Sequence, residues 1–233
     1  GSSSASFVKP SPLTPPKRHS HDDSHCAVTF RAMTLHLIQP RELFGPQERW
    51  EELCACWDKN AAVFDEVTIA AGRPTFAELF ALCKPGAINV ICNSDIYFDS
   101  SIAICERIAP GQCFALSRWD VKPDGSAELW DHADSQDAWV FDGKPEGINT
   151  RYNRPDGITA EISLGVPGCD NAIAHRIKQA GYELLNPSRT IKAFHLHNVQ
   201  WRSYLHDPKG RARGGDKIER IPPPYHLVKP AEL

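Results

Sequence analysis

The residues best suited to chemistry stand together at the end of one apolar run. Ile88-Asn-Val-Ile-Cys92 is short and β-branched, the pattern of a buried strand, and it gives way within one residue to Asn93-Ser94-Asp95, with Asp99 four further on. Short oxygen-bearing side chains at a strand end sit at the carboxyl edge of a sheet, where open α/β folds bind ligands. Carboxylate oxygens such as those of Asp95 and Asp99 suit Mg²⁺ and Mn²⁺. The same residues also suit an Asx-turn, with Asp99 capping a following helix. Late in the chain His195-Leu196-His197 ends another apolar run, and alternation in a strand turns both imidazoles to one face. Asp170 precedes a helical stretch, and Asp137 leads into Trp139-Val140-Phe141. Either acid can serve as a general base or simply cap its element. Arg73 before Pro74 and the Arg118-Trp119-Asp120 triplet offer groups for a phosphate or a sugar, or an ordinary surface ion pair. Trp139 and Trp201 can stack on a ring or fill a core.

The elements that must position these groups follow from periodicity. Val28 to Ile38 reads as a first strand, stopped by Gln39-Pro40, and a helix is expected from about Pro46 to Asn60 with Trp50, Leu53, Cys54 and Trp57 at helical spacing. Phe64 to Ala70 is a second strand. Thr75 and Glu78 have capping-box spacing for a helix through Leu82. A helix over Ser101–Ala109, a strand over Cys113–Trp119, a loop over 142–157, a helix over Ala172–Ala180 closed by Gly181, and a strand over Ile191–His197 complete the reading. Strands alternating with helices predict a parallel α/β sheet.

Composition narrows the classes. The chain has 233 residues, 41% of them hydrophobic, enough for one domain with a sizeable core. A net charge of −3 gives no global case for nucleic-acid binding. Eight cysteines without a Cys-x-x-Cys pair argue against a zinc ribbon or a disulfide framework. The expected setting is reducing and cytoplasmic, with no membrane span. Residues 1–25 are read as a disordered leader dispensable for folding, 26–205 as the catalytic domain, and 206–233 as a basic, Pro-rich, loosely packed extension. The Arg-rich stretch from Arg202 to Arg220 fits either a solvated tail or a binder of nucleic-acid phosphate.

In order and spacing, three motifs resemble the glycosyltransferase A fold of nucleotide-diphospho-sugar transferases over roughly residues 33–205. Asn93-Ser94-Asp95 looks like that family's Asp-x-Asp metal motif, with Asn in the first position. Gly168-Cys169-Asp170-Asn171, leading to Ala180-Gly181-Tyr182, resembles its Gly-x-Glu-Asp helix opening, with Cys169 in place of the first acid. His195-Leu196-His197 matches its late metal-completing His. The resemblance implies a Rossmann-like mixed central sheet flanked by helices. It also implies a Mn²⁺- or Mg²⁺-dependent transfer from a nucleotide-sugar donor, UDP-linked by preference, to a hydroxyl of a glycan, a small molecule or a modified nucleic acid. Asp95, His195 and His197 would hold the metal. Asp170 would be the base of an inverting reaction, with Asp137 as its rival. Gln39, Arg73, Asn93, Ser94, Arg118 and Asp120 would meet the donor, and Trp139 and Asn171 the acceptor. The helix dipole is expected to lower the pKa of Asp170. Two other classes stay open: a metal-dependent phosphoester hydrolase, and a nucleotide-sugar binding module with a decayed site.

Overall fold

A computed structural model describes residues 33–41, 43–199, 201 and 220–233. The leader, the start of the expected first strand, nearly all of the Arg-rich stretch and the boundary at 205/206 lie outside the described residues.

Six strands form the main sheet: β1 (Thr34–Pro40), β2 (Glu66–Ala70), β3 (Ala87–Cys92), β5 (Gln112–Leu116), β8 (Ala138–Asp142) and β11 (Glu183–Leu185), in the order β11-β5-β8-β3-β1-β2. A second sheet of four short strands has the order β4 (Ile96–Phe98), β12 (Ala193–His195), β6 (Arg118–Val121), β7 (Ala127–Leu129). Strands β9 (Arg151–Asn153) and β10 (Thr159–Glu161) make a separate hairpin. The helices are α1 (Gln47–Ala61), α2 (Phe76–Leu82) and α3 (Cys169–Gln179), with a 3₁₀ turn over Ser100–Arg107. None of the described helices is long and apolar enough to cross a membrane.

The fold is α/β with a mixed main sheet, the sheet type expected for the chain, whereas the alternation of strands and helices alone predicts a parallel one. Five strands run one way, and β8 runs against its neighbours β3 and β5. Its reversal has a consequence for the site. Ala138 at the start of β8 pairs with Cys92 and Leu116 at the ends of β3 and β5. Asp137 is thereby carried to the same sheet edge as Asn93, to which it is tied by a backbone bond of 3.2 Å.

Several boundaries differ from expectation for identifiable reasons. The run Cys113–Trp119 is two strands, broken where the Ser117 amide leaves the sheet to donate to Ser188 Oγ (2.7 Å) and Asn186 Oδ1 (3.2 Å). The segment expected to be loop over 142–157 contains β9, whose partner β10 lies beyond it. Strand character in Ile191–His197 is confined to β12. The capping box at Thr75 and Glu78 is present, and Asp99 caps the 3₁₀ turn by accepting from Ser101 N (2.9 Å).

Helix α1 buries a different face from the one its aromatics suggest. Arg49, Leu53, Cys56 and Asn60 are buried, at 4-3-4 spacing, and Trp50 is 41% exposed. Asn60 and Gln39 act as a pair. Gln39 Nε2 donates to the carbonyls of Asn93 (3.0 Å) and Ile96 (2.9 Å), Asn60 Nδ2 donates to Gln39 Oε1 (3.1 Å) and Ile96 O (2.9 Å), and Asn60 Oδ1 accepts from Phe98 N (3.0 Å). Five bonds from two buried amides fix the turn between β3 and β4.

Residues 220–233 pack more closely than a loose extension. Ile221 and Val228 are buried in the cluster that contains Phe76, Trp139 and Ile173. The segment also bonds to both acid-bearing loops: Ile221 N to Pro167 O (2.9 Å), His226 N to Asn171 O (3.0 Å) and Val228 N to Ala133 O (3.0 Å). Ile221→Ala is expected to lower unfolding free energy by about 2–4 kcal/mol, the cost of a large-to-small change in a core. Urea denaturation giving a change near zero would restore the loose-tail reading.

Candidate functional site

A cleft of about 370 Å³ opens at the carboxyl edge of the main sheet, between that edge and the small sheet. Its lining includes Asn93, Ser94, Asp95, His195 and His197, together with Asp137, Asp170, Arg73 and Arg118. Five residues named from the sequence do not line it, the first being Asp99, which caps the 3₁₀ turn. Gln39 is fully buried and holds the Asn93–Ile96 turn from behind. Trp139 is fully buried and packs edge-on against Phe76 at 5.0 Å, so it cannot stack on an acceptor. Asn171 is 2% exposed and spends its amide on Asp134 O (3.1 Å). Asp120 stands behind His195, as described next.

The small sheet builds the first cluster. In β12, His195 pairs with Ile96 on one side and Asp120 on the other. Asp95, one residue before Ile96, therefore meets the His195 ring. His195 Nε2 lies 3.2 Å and His197 Nδ1 3.3 Å from Asp95 Oδ2, and the ligand atoms of all three residues lie within 4.8 Å of one another. Each ring is anchored at its other nitrogen. His195 Nδ1 lies 2.8 Å from Asp120 Oδ1, and His197 Nε2 donates to Trp201 O at 2.8 Å. A carboxylate or carbonyl behind the imidazole is what fixes a metal-binding tautomer. In neutral rings so anchored, two nitrogen lone pairs and a carboxylate oxygen face each other, which requires either protons or a cation between them. Metal–ligand bonds of about 2.1 Å put neighbouring ligands about 3.0–3.4 Å apart, which matches the two spacings to Asp95. The donor set thus fits a divalent cation, and two imidazoles favour Mn²⁺, Fe²⁺ or Zn²⁺ over Mg²⁺.

Electrostatics in the cluster are strong. Burial disfavours charge on Asp95, but His195, His197 and Arg49 together outweigh it and hold the carboxyl well below its ordinary range. Burial likewise opposes a charged His195, yet Asp95 and Asp120 overcome it and push the imidazole up to about 9.

The same cleft is lined by two further acids, Asp137 and Asp170. Gly168, at φ 82°, turns the chain into α3, and a side chain there would meet Ile221 O at 3.0 Å. The left-handed conformation and the close approach both call for glycine. Asp170 is the second residue of α3. Its carboxyl is raised to about 7, first by burial and then by the charge of Asp137, against the backbone N–H groups of Asn171 and Gln136 that stabilise the anion. The expectation from the helix dipole alone is corrected in direction: desolvation and a neighbouring carboxylate exceed the dipole.

Asp137 is held differently. Oδ1 accepts from Asn93 Nδ2 (2.9 Å), and Oδ2 accepts from Arg118 Nη1 and Ser135 Oγ (both 3.3 Å). This explains Asn at position 93, since an Asp would face Asp137 with a second carboxylate. Asn93→Asp is expected to lower the melting temperature at pH 8 by several degrees and to recover near pH 5, where one carboxyl can take a proton. An unchanged melting curve at both pH values would count against the pairing. Cys169, one residue before Asp170, is buried, and burial pushes its thiol far up.

Three residues at the site escaped the sequence reading. Arg49 Nη2 lies 2.5 Å from Asp95 Oδ2, and Glu52 and Ser135 support Arg49 and Arg118. The available signal was an arginine in register with Leu53, Cys56 and Asn60 on one helical face. Comparison with models of protein families, with curated proteins and with solved structures returns no match for this chain.

Proposed function

We propose that this protein is a divalent-metal-dependent glycosyltransferase of the glycosyltransferase A type, moving a sugar from a nucleoside diphosphate, UDP by preference, to a hydroxyl acceptor with inversion. One observation carries the reading. A single cleft is lined both by a cluster of carboxylate and imidazole donors and by a carboxyl raised to about 7. The mixed α/β sheet with the cluster at its carboxyl edge supports it, because ligands collect at that edge.

The roles follow from the surroundings of each group. Asp95, His195 and His197 hold the cation, which supplies charge neutralisation for the leaving diphosphate. Arg73 and Arg118 face the same cleft and add positive charge there. The acceptor O–H gives its proton to Asp170 as the oxygen attacks the anomeric carbon, and the bond from that carbon to the diphosphate oxygen breaks with the electron pair leaving on the diphosphate. A base whose pKa lies near the working pH combines a usable ionised fraction with proton affinity. Asp137, its oxygens already occupied by three donors, serves to tune Asp170. A two-metal hydrolase finds less support, since the described residues offer one three-member cluster of metal-binding side chains. Thermal-shift screening of nucleotide sugars is expected to give stabilisation by UDP-linked donors with Mn²⁺ and much less in EDTA, because a ligand bound only to the folded state raises stability by mass action. Stabilisation by phosphomonoesters but by no nucleotide sugar would favour the hydrolase.

A further inference from the structure

We propose that Arg49 is a built-in stand-in for the divalent cation, holding Asp95 until metal and donor diphosphate load together. This rests on the metal-dependent reading of the cleft and goes beyond it by assigning the order and coupling of loading to one residue.

Arg49 rises from the first turn of α1 and is 1% exposed, although it lines the cleft. Its Nη2 sits 2.5 Å from Asp95 Oδ2, the oxygen that both imidazoles approach. Its Nη1 donates to Leu196 O (2.7 Å) and to Glu52 Oε2 (2.7 Å). Glu52 Oε1 in turn accepts from Asn198 N (2.8 Å) and Val199 N (3.0 Å). The Arg49–Glu52 pair therefore grips the turn that carries His197 as well as Asp95, and keeps the three donor side chains gathered.

Charge decides what this does to a metal. Asp95, His195 and His197 bring one negative charge among them when both rings are neutral, and the guanidinium of Arg49, shared with Glu52 on its far side, already sits 2.5 Å from the oxygen that a metal would take. A dication bound to Asp95 would lie within a few ångströms of a buried guanidinium, where repulsion is weakly screened. Metal alone should bind poorly. A diphosphate brings the missing negative charge, so the nucleotide should strengthen metal binding, and the metal should strengthen nucleotide binding by the same factor. Arg49 is in this sense a positioning residue that sets the coupling.

The test is Mn²⁺ binding to the full chain, read from the electron paramagnetic resonance signal of free Mn²⁺, with and without UDP. In the wild type UDP is expected to tighten Mn²⁺ binding at least tenfold. In Arg49→Met/Glu52→Gln, which removes the Glu52 carboxylate together with its guanidinium and leaves Asp95 to the two imidazoles, Mn²⁺ alone should bind at least tenfold tighter than to the wild type, and the gain from UDP should shrink. Arg49→Lys keeps the charge and should keep wild-type coupling. Circular dichroism establishes that each variant is folded. A folded double variant with unchanged or weaker affinity for Mn²⁺ alone overturns the proposal and leaves Arg49 a strut, as does loss of Mn²⁺ binding in Arg49→Lys with and without UDP. Absence of Mn²⁺ binding by the wild type even with UDP would instead sink the metal-dependent reading itself.

Discussion

Replacing Asp170 with asparagine is expected to cost about 10²–10⁴ in transfer rate while leaving donor and metal affinity nearly unchanged. The side chain keeps its shape and its place at the start of α3, and only the proton acceptor is lost. The wild-type rate should rise with pH through about 7, where Asp170 becomes ionised, and level off above it. Asp137→Asn should move that limb to lower pH, since the Asp137 charge is one of the two causes that raise Asp170. Stability should run the other way. A carboxyl whose folded pKa lies near 7 and whose unfolded pKa lies near 4 contributes stability fully present below about pH 4 and lost as pH rises through 7. Above pH 7 Asp170→Asn should therefore be more stable than the wild type, by about 1 kcal/mol or more. Single-turnover kinetics and thermal melts across pH 5–9 check both halves. Near-normal turnover in Asp170→Asn with a dead Asp137→Asn would reverse the assignment of the base.

Asp95 should show the largest effect on binding. Its Oδ2 is the point where Arg49, His195 and His197 converge, so its loss removes the oxygen ligand and leaves a buried guanidinium without its partner. Breaking a buried pair in this way costs about 3–5 kcal/mol, and Asp95→Ala should fold poorly for that reason. Asp95→Asn keeps an acceptor for Arg49 and is the cleaner variant. Calorimetry with UDP should then show the same weak affinity in Mn²⁺ and in EDTA, against at least a tenfold difference in the wild type. A wild-type response to Mn²⁺ surviving in Asp95→Asn would place the cation elsewhere.

Local chemistry made much of this legible from the sequence. The β-branched run ending in Asn93-Ser94-Asp95 is a strand ending at the cleft, because burial selects the first half and solvation the second. Thr75 and Glu78 cap α2, and Gly181 ends α3 at φ 94°, each through short-range geometry that spacing records. What spacing does not record is which strands become neighbours. The reversed direction of β8, which delivers Asp137 to the cleft, depends on pairing with β3 and β5 across the chain. The apolar spacing of Trp50, Leu53, Cys54 and Trp57 does not mark Arg49 and Asn60, because the helix buries polar groups that bond to distant loops. The resemblance assigns Trp139 and Asn171 to the acceptor, but Trp139 is packed into the core against Phe76 and Asn171 turns inward to Asp134 O. The direction of the Asp170 shift needed the third dimension, since neither its burial nor Asp137 as a neighbour is visible in one chain read along its length.

The proposed transfer cleaves the bond between the anomeric carbon and the diphosphate oxygen. It is tested most directly by incubating the protein with Mn²⁺ and a UDP-linked sugar in H₂¹⁸O, with water as the only acceptor, and locating the label by mass spectrometry. Glycosyl transfer to water places ¹⁸O on the released sugar and leaves the UDP unlabelled, with the rate sharply reduced in Asp170→Asn. Label in the phosphate, or UDP-sugar that binds and stays intact, would contradict it.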